Sequence, residues 1–426
     1  MGIVAQQKSI MSGYKQTEVG VIPEDWNLRD LEVLASVIDG DRGAQYPSAN
    51  DFSDSGYCLF LNAGNVTSDG FKFVDCAFIT REKDALLNKG RLKRDDIVLT
   101  TRGTVGNFAH YDATVVFDDV RINSGMVILR NESPSLNTTF LYALLKSYLV
   151  CSQIDRFAFG SAQPQLTVKG ISKFKVLVPP LPEQCAIAEV LGDADGLIGV
   201  LDKLIAKKRD LKQAAMQQLL TGKRRLKGFK GEWEVRTIGR FTDCTSGGTP
   251  STSVAGYWGG TIKWMSSGEL NFKIIWDVEG RITEYGLQSS SAKMIPEKCV
   301  LVGLAGQGKT RGTVAMNMIP LCTNQSIAAI LPSEEFVPEY LYHNLDSRYE
   351  ELRGLSTGQG GRGGLNLTII KSIPVPFPTI KEQAAIAAVL SDMDAEIAAL
   401  EERREKTRAL KQGMMQELLT GKTRLI

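Results

Sequence analysis

The chain has 426 residues, which is too long for one ordinary hydrophobic core and predicts two or three domains. Hydrophobic residues make up 43% of it, and the absence of any long apolar run excludes a transmembrane protein. The formal net charge of +2 excludes no class of partner. Two histidines, His110 and His343, and scattered cysteines without C-x-x-C spacing argue against a metal site and predict free thiols. The opening residues lack a secretion signal, so we expect a cytoplasmic protein.

Residues 1–22 are predicted to form an N-terminal arm, followed by a first globular domain over residues 23–179. Short β-branched runs bounded by Gly, Asn and Pro, such as Asp96–Thr101 and Met126–Leu129, indicate strands. One amphipathic helix is expected over Thr139–Ser152. The domain is therefore predicted to be mixed α/β.

A long helix is predicted over residues 180–226. Apolar residues at Ile187, Leu191, Ile198 and Leu201 belong to a heptad seam, prolines precede the helix, and the Thr221-Gly222 pair ends it. At about 1.5 Å per residue, some 40 helical residues span roughly 60 Å.

The second globular domain is predicted over residues 227–376, again mixed α/β, with one amphipathic helix at Pro338–Arg353. It contains Gly303–Thr310, GLAGQGKT, which matches the phosphate-binding pattern G-x-x-x-x-G-K-[ST]. A P-loop runs from a strand straight into a helix, whereas RGTVAMNMIP follows here and indicates a turn and a second strand. The interpretation we favour is an exposed hairpin-like loop; a P-loop NTPase is the alternative.

Residues 377–426 are predicted to form a second long helix that repeats the first. The segments beginning at Glu183 and Glu382 share 25 identities in 44 positions at a fixed offset of 199. Its seam residues are Ile386, Leu390, Ile397 and Leu400. A single helix with one apolar stripe needs a partner, so we predict that the two helices pair as antiparallel rods. Packing of each helix on its own globular domain remains the alternative.

Basic residues are concentrated toward the far ends of both helices. Ten Lys or Arg and one Asp lie between Lys203 and Lys230, and seven basic and three acidic residues lie between Glu402 and Ile426. This distribution suits a polyanion, although charge at the C-terminus of a helix is also favoured by its dipole.

Loop residues with base-reading side chains occur at matched places in the two copies. Arginine recognises guanine, Asn and Gln recognise adenine, and lysine binds phosphate. The candidate DNA-binding residues are Arg102, Asn107, Gln163, Gln165, Gln307, Lys309, Arg311, Gln359 and Arg362. The alternative for each residue is an ordinary loop that faces solvent.

These motifs resemble the specificity subunit of type I restriction-modification systems. The resemblance rests on a proline-rich segment that leads through Glu-Gln into a long helix ending in LLTGK, present twice, and on TEVGVIPEDW (Thr17–Trp26), KGEW (Lys230–Trp233) and GGTPST (Gly247–Thr252). It covers nearly the whole chain. The first copy departs from it with IDGDRGAQYPS, where a GGTPS-like turn is expected.

The resemblance implies a non-catalytic DNA reader in which two target-recognition domains each read half of a split, asymmetric double-stranded DNA sequence. It implies that the helices act as a spacer and a dock for two methyltransferase subunits, with restriction subunits added for cleavage. S-adenosylmethionine, ATP and Mg are then expected in the partners, with no cofactor or metal bound by this chain. A structural coiled-coil adaptor is a further alternative.

Overall fold

The computed structural model describes residues 12–158, 165–306, 310–355 and 364–425. It divides into two compact units, unit 1 comprising Met1–Val200 with Arg404–Ile426, and unit 2 comprising Leu201–Arg403. Each unit is mixed α/β, as the sequence predicts. Each long helix contributes one part to each unit.

Unit 1 is built on a four-stranded antiparallel sheet with the strand order Phe108–His110, Ile97–Thr100, Met126–Asn131 and Ala35–Asp39. A three-stranded sheet contains Val120–Arg121, Cys58–Phe60 and Phe78–Ile79. The paired strands are Tyr14–Thr17 with Gly20–Pro23, Asn27–Asp30 with Lys175–Val178, and Val66–Thr67 with Gly70–Phe71. The short helices are Arg81–Leu86, Thr138–Leu145, Tyr148–Phe157 and Val168–Ser172.

Unit 2 repeats this plan with a five-stranded sheet in the order Cys244–Ser246, Ile327–Ile330, Val300–Gly303, Val314–Asn317 and Ile274–Ile275. A four-stranded sheet contains Arg281–Ile282, Trp258–Met265, Leu321–Thr323 and Met294–Ile295, and Glu234–Thr237 pairs with Pro374–Phe377. The short helices are Glu284–Gln288, Pro338–Asp346, Tyr349–Gly354 and Leu367–Ser372.

The single amphipathic helix expected in each copy was wrong, because each region holds two helices. In unit 1 the break falls at Ser147, whose extended backbone (ψ 160°) ends one helix and precedes the next. In unit 2 the break falls at Ser347 and Arg348, where Arg348 leaves helical geometry (ψ 27°). The apolar stripe continues across each break, and so the sequence pattern did not reveal it.

The long helices are Leu181–Leu219 and Ile380–Leu418, each of 39 residues. In unit 1, Ile187 and Leu191 of the first helix share a hydrophobic core with Leu418 of the second. The Lys411 ammonium lies 2.6 Å from the Asp195 carboxylate. Since residues near the start of one helix meet residues near the end of the other, the helices pair antiparallel within this unit.

The same arrangement holds in unit 2, where Met216 and Leu219 share a core with Ile386 and Leu390. These cores also contain residues of the short helices, so each long helix packs on its globular domain as well as on the other helix. Of the predicted seam, six residues are buried and two are half-buried. The buried ones are Ile187, Leu191, Leu201, Ile386, Leu390 and Ile397, and the half-buried ones are Ile198 and Leu400.

The described residues contain no helix with both the length and the apolar character needed to cross a bilayer. All seven cysteines are free thiols. Within the same residues, no cluster of three or more His, Cys, Asp or Glu side chains is placed to hold a metal ion.

Candidate nucleic-acid interface

The P-loop-like segment Gly303–Thr310 follows the strand Val300–Gly303, and the chain then returns as the antiparallel strand Val314–Asn317. The Gly303 amide donates to the Thr313 carbonyl at 2.9 Å, and the Gly312 amide donates to the Gly303 carbonyl at 2.9 Å. A P-loop instead needs a helix whose N-terminus faces the phosphates. The segment therefore connects two antiparallel strands and does not lead into a helix, so nucleotide binding there is not supported.

Unit 1 has an equivalent hairpin loop, identified by the same hydrogen bonds. The Thr100 amide donates to Asn107 and the Gly106 amide donates to Thr100, both at 3.0 Å. Gly106 and Gly312 both have positive φ, 94° and 80°, a conformation that glycine adopts without steric penalty. They are the equivalent positions of the two loops.

The sequence RGTV occurs in both copies, at Arg102–Val105 and at Arg311–Val314, which suggests that these residues are equivalent. The hydrogen bonds show that they are not structural equivalents. Five residues (101–105) separate Thr100 from Gly106, whereas eight (304–311) separate Gly303 from Gly312. Arg102 thus lies at the start of its loop and Arg311 at the end of the other. Arg311 is half-buried, while Gln307 and Lys309 lie outside the described residues.

The structure brings Arg102 and Gln165 together, as partners in an isolated antiparallel bridge. The Leu166 amide donates to the Thr101 carbonyl at 3.0 Å, and this hydrogen bond holds Gln165 and Leu166 beside the loop that follows Thr100. Arg102 is exposed. Gln163 lies outside the described residues, so the structure adds nothing to that prediction.

Unit 2 has the equivalent hydrogen bond, in which the Leu365 amide donates to the Leu304 carbonyl at 2.9 Å. Gln359 and Arg362 lie outside the described residues. Asn107, in unit 1, uses its side-chain amide to bind the Val66 carbonyl at 3.0 Å and is half-buried. One of its donors is therefore engaged within the protein.

A neighbouring loop that the sequence patterns did not reveal lies beside the hairpin connection, at the same edge of the sheet, in both units. In unit 1 the Asn123 side-chain oxygen accepts from the Gly125 amide at 2.8 Å, and the Gly125 carbonyl accepts from the Arg102 amide at 3.2 Å. In unit 2 the Asn324 side-chain oxygen accepts from the Ser326 amide at 3.1 Å. We name Asn123–Gly125 and Asn324–Ser326 the edge loops.

A second missed feature explains the Glu-Gln pair at the start of each long helix. In unit 1 the fully buried Glu183 accepts from the Trp26 indole at 2.9 Å and from the Arg424 guanidinium at 2.6 Å. Arg424 also binds Asp25 at 2.8 Å, and this hydrogen bond lowers the pKa of the Asp25 carboxyl. The side-chain Oε1 of the buried Gln184 accepts from the backbone amide of Asn137 at 2.8 Å.

Unit 2 repeats the cluster with Glu382, which is 1% exposed, Trp233 and Arg225. The Trp233 indole donates to Glu382 at 3.1 Å, and the Arg225 guanidinium donates to it at 2.6 Å. We name these two clusters the arginine clamps. Their sequence signal was present twice, as E-Q at the helix start and L-T-G-K-x-R-L at the end, but no pattern indicated that the two ends meet.

Each unit also carries a groove beside the end of one long helix. The unit 1 groove has a volume of about 580 Å³ and includes Gln412, Met415 and Gln416 in its lining. The unit 2 groove has a volume of about 450 Å³ and is lined by the equivalent residues Gln213, Met216 and Gln217. The same helix face therefore borders a groove in both copies.

Both copies of the duplicated α/β unit present polar loops at one edge of a sheet, and the long helices pair within each unit. This is the architecture of a recognition protein with two binding surfaces. A family profile described as "Type I restriction modification DNA specificity domain" matches residues 23–207 and again residues 230–408. The two matches cover most of the chain. The chain belongs to this family.

Two curated relatives match, one over nearly the whole chain and one over about half of it. The chain is 25% identical over 428 residues to a protein named "Putative type I restriction enzyme MjaX specificity subunit" from Methanocaldococcus jannaschii, covering 97% of each chain. It is 27% identical over 231 residues to the EcoR124I/EcoR124II specificity subunit of Escherichia coli, covering 53% of this chain and 57% of the relative.

A solved structure has the same fold. The S subunit of a type I restriction-modification system from M. genitalium superimposes with a TM-score of 0.61 at 16% identity, covering 92% of this chain and 96% of the other. At this identity, the likeness supports the fold alone.

Proposed function

We propose that this chain is the sequence-specific DNA-recognition subunit of a type I restriction-modification complex, reading a split, asymmetric duplex target. The observation that carries the proposal is the family match in both halves, each half having its own edge of exposed polar loops. The chain itself is non-catalytic. Methylation and cleavage reside in partner subunits, which supply S-adenosylmethionine, ATP and Mg, and the complex acts in the cytoplasm.

Asymmetry of the target follows from the difference between the two edges. The loop after Thr100 has Arg102 near its start, whereas the loop after Gly303 is three residues longer and has Arg311 near its end. Base edges are distinguished by the type and position of donors and acceptors. Edges that differ in both respects read different half-sites.

Partner docking is supported by the two grooves. Duplicated sequences lose identity where nothing selects for it, yet the groove-lining Gln213 and Gln412, like Thr221 and Thr420, are the same in both copies. Two grooves at equivalent places on the helices suit two copies of the same partner element. We assign them to two methyltransferase subunits, with restriction subunits joining that assembly. A coiled-coil adaptor would need neither the polar edges nor their divergence.

The direct test is methylation mapping of DNA from cells that express this chain with its cognate methyltransferase subunit. The expected result is one methylated motif made of two specified halves separated by unspecified base pairs. A contiguous motif, or methylation without sequence preference, would contradict the proposal. A methyltransferase expressed without this chain is the control and should leave the motif unmodified.

The spacer role of the helices is tested by lengthening both of them equally. Four residues add about 5.4 Å of helix, so inserting four residues after Lys203 and after the equivalent Glu402 should widen the gap. The expected change is about one or two base pairs at 3.4 Å each. A four-residue insertion after Lys227, outside both helices, is the control. An unchanged gap in the helix variant would show that the helices do not set it.

A further inference from the structure

The strand that leads into each edge can be aligned residue by residue through its hydrogen-bond register. Asp39 lies opposite Val127 in unit 1, and Ser246 lies opposite Ala328 in unit 2. Val127 and Ala328 both stand four residues after the asparagine of their edge loop. Asp39 and Ser246 are therefore equivalent, although IDGDRG and TSGGTP share little sequence.

The residue after each strand passes close to the neighbouring loop. A Cβ added to Gly40 would lie 2.2 Å from the Asn123 carbonyl oxygen, and one added to Gly247 would lie 1.9 Å from the Thr323 carbonyl oxygen. Only glycine permits this approach. The close approach fixes the path of the next residues across the edge loop in both units.

Two positions then meet in both units. Three residues after Asp39 stands Arg42, whose Nη2 donates to the carbonyl of Ser124 at 3.1 Å. Three residues after Ser246 stands Thr249, whose hydroxyl donates to the side-chain Oε1 of Gln325 at 2.6 Å. Ser124 and Gln325 each follow the asparagine of their edge loop. Equivalent positions are in contact in the two units. The long polar side chain belongs to the residue after the strand in unit 1, Arg42, and to the edge loop in unit 2, Gln325.

We propose, resting on the function proposed above, that this pair of positions reads one base pair in each half-site. Arg42 recognises a guanine in the half-site of unit 1, and Gln325 recognises an adenine in the half-site of unit 2. These are the bases whose major-groove edges match a guanidinium and a carboxamide.

The guanidinium of Arg42 is held in place by two hydrogen bonds and still has donors available for a base. Asp39 Oδ1 and the Ser124 carbonyl both accept from Nη2, each at 3.1 Å, and the side chain is 47% exposed. A guanidinium has five N–H donors, so the Nε–H and both Nη1–H donors of Arg42 remain to donate to guanine. The adjacent Gly125 carbonyl binds the Arg102 amide, which places Arg42 and Arg102 on either side of one loop.

Gln325 is exposed and oriented by Thr249. Its Oε1 accepts one hydrogen bond from the threonine hydroxyl and keeps a second lone pair, while its Nε2 remains a donor. One acceptor and one donor side by side match the N6 and N7 atoms of adenine. Thr249 is thus a positioning residue for Gln325.

The test uses the assembled methyltransferase with Arg42→Ala or Gln325→Ala. Methylation rates are measured on duplexes that carry each base substitution in turn. Each variant should lose about 5- to 150-fold of discrimination at one base pair, within one half-site only. The half-site of the other unit is an internal control. Thr249→Val should relax the same base pair as Gln325→Ala but by a smaller factor.

Arg29→Ala, which removes an exposed arginine from the strand Asn27–Asp30, is the charge-matched control and should leave every position unchanged. Arg42→Lys keeps the charge but loses the planar fork. It should therefore relax the same base pair, which keeps the test decisive if the alanine variant fails to assemble with the methyltransferase.

Unchanged discrimination at every position in assembled Arg42 and Gln325 variants would overturn this inference. The proposed function would then still stand, provided that the unmodified chain directs methylation to a split motif. If the unmodified chain directs no such methylation, the proposed function itself fails. Loss of rate that is uniform across all substitutions would identify phosphate contacts instead and would also overturn the inference.

Discussion

Unit 1 and unit 2 hold the same arginine clamp together in different ways. In unit 1 the arginine is Arg424, near the end of the chain, and the tryptophan is Trp26, near its beginning. The guanidinium binds two carboxylates, the buried Glu183 at 2.6 Å and the half-exposed Asp25 at 2.8 Å. Almost the whole chain lies between the residues that meet.

In unit 2 the arginine and the tryptophan, Arg225 and Trp233, are only eight residues apart in the sequence. Arg225 binds one carboxylate, Glu382, and completes its hydrogen bonds with the Gly231 carbonyl at 2.6 Å. Short chain connections bring groups together at less entropic cost than long ones. The clamp therefore has an additional ion pair, between Arg424 and Asp25, in the unit where chain connectivity helps least.

The largest effect is expected from removing the clamp arginines. Arg424→Ala leaves the fully buried Glu183 without its cation, and removing one partner of a buried pair typically costs about 3–5 kcal/mol. Hydrogen exchange in urea should show that the amides of Lys175–Val178 lose that much protection. Arg225→Ala should act in the same direction on the Val375 and Phe377 amides of the strand Pro374–Phe377 in unit 2, since the two prolines carry no amide hydrogen.

Arg81→Ala and Arg240→Ala, at exposed arginines of unit 1 and unit 2, are the matched controls and should change neither segment. If Arg424→Ala lowered the free energy of unfolding of unit 1 by less than about 1 kcal/mol, the clamp would be an incidental surface contact. The interpretation of the Glu-Gln motif would then be wrong.

Much of the framework could be predicted because its signals are local. The heptad seam, the preceding prolines and the Thr-Gly ends predicted helices over 180–226 and 377–426, and the structure has Leu181–Leu219 and Ile380–Leu418. The run Asp96–Thr101 predicted a strand that is found at Ile97–Thr100. In these elements each residue's neighbours in sequence decide its conformation.

The clamps and the edge could not be predicted in the same way, because they depend on register between distant segments. The RGTV echo suggested that Arg102 and Arg311 are equivalent, but loops of different length place them at opposite ends. Arg42 and Thr249 look unrelated in sequence, and only the strand pairing of Asp39 and Ser246 makes them equivalent. Hydrogen-bond register between distant strands, unlike helical periodicity, produces no pattern in the local sequence.

An intermediate effect is expected from the protonation of His343, which lies in unit 2. His343 is 1% exposed, with its Nε2 3.2 Å from the Ser391 hydroxyl, and burial lowers its pKa to about 4 from an ordinary value of 6.5. The nearby Lys212 lowers it further, whereas Asp346 and Glu339 oppose the shift. In the folded protein this histidine is neutral.

The sign of the effect follows from proton linkage. Between pH 6.5 and 4 the unfolded chain binds a proton at His343 that the folded unit excludes, so stability is lost as the pH falls through this range. At about 1.4 kcal/mol per pH unit, unit 2 should lose about 2 kcal/mol between pH 7 and pH 5. Urea unfolding of the wild type and of His343→Ala at both pH values measures it.

Unit 1 provides the natural control for this prediction. The short helices Thr138–Leu145 and Pro338–Asp346 can be aligned, because the backbone amides of Asn137 and Val337 donate to the equivalent side chains of Gln184 and Gln383. This alignment places Ala143 at the position of His343. Unit 1 should therefore lack this component. A His343→Ala protein with the same loss of stability in unit 2 on acidification would assign the effect to carboxylates instead.

The smallest effect is expected at the ion pairs between the long helices. Lys411 lies 2.6 Å from Asp195 in unit 1, and Lys212 lies 2.5 Å from Asp394 in unit 2, with carboxylates 58% and 41% exposed. Because the carboxylate of each pair is solvated, a double-mutant cycle with alanine at each pair should give a coupling energy below about 1 kcal/mol. The coupling should fall further in 1 M salt. A coupling as large as that between Arg424 and Glu183 would mean that the helix surface, and not its buried ends, holds the rods together, and the distinction drawn between the clamps and the rest of the helix would not survive.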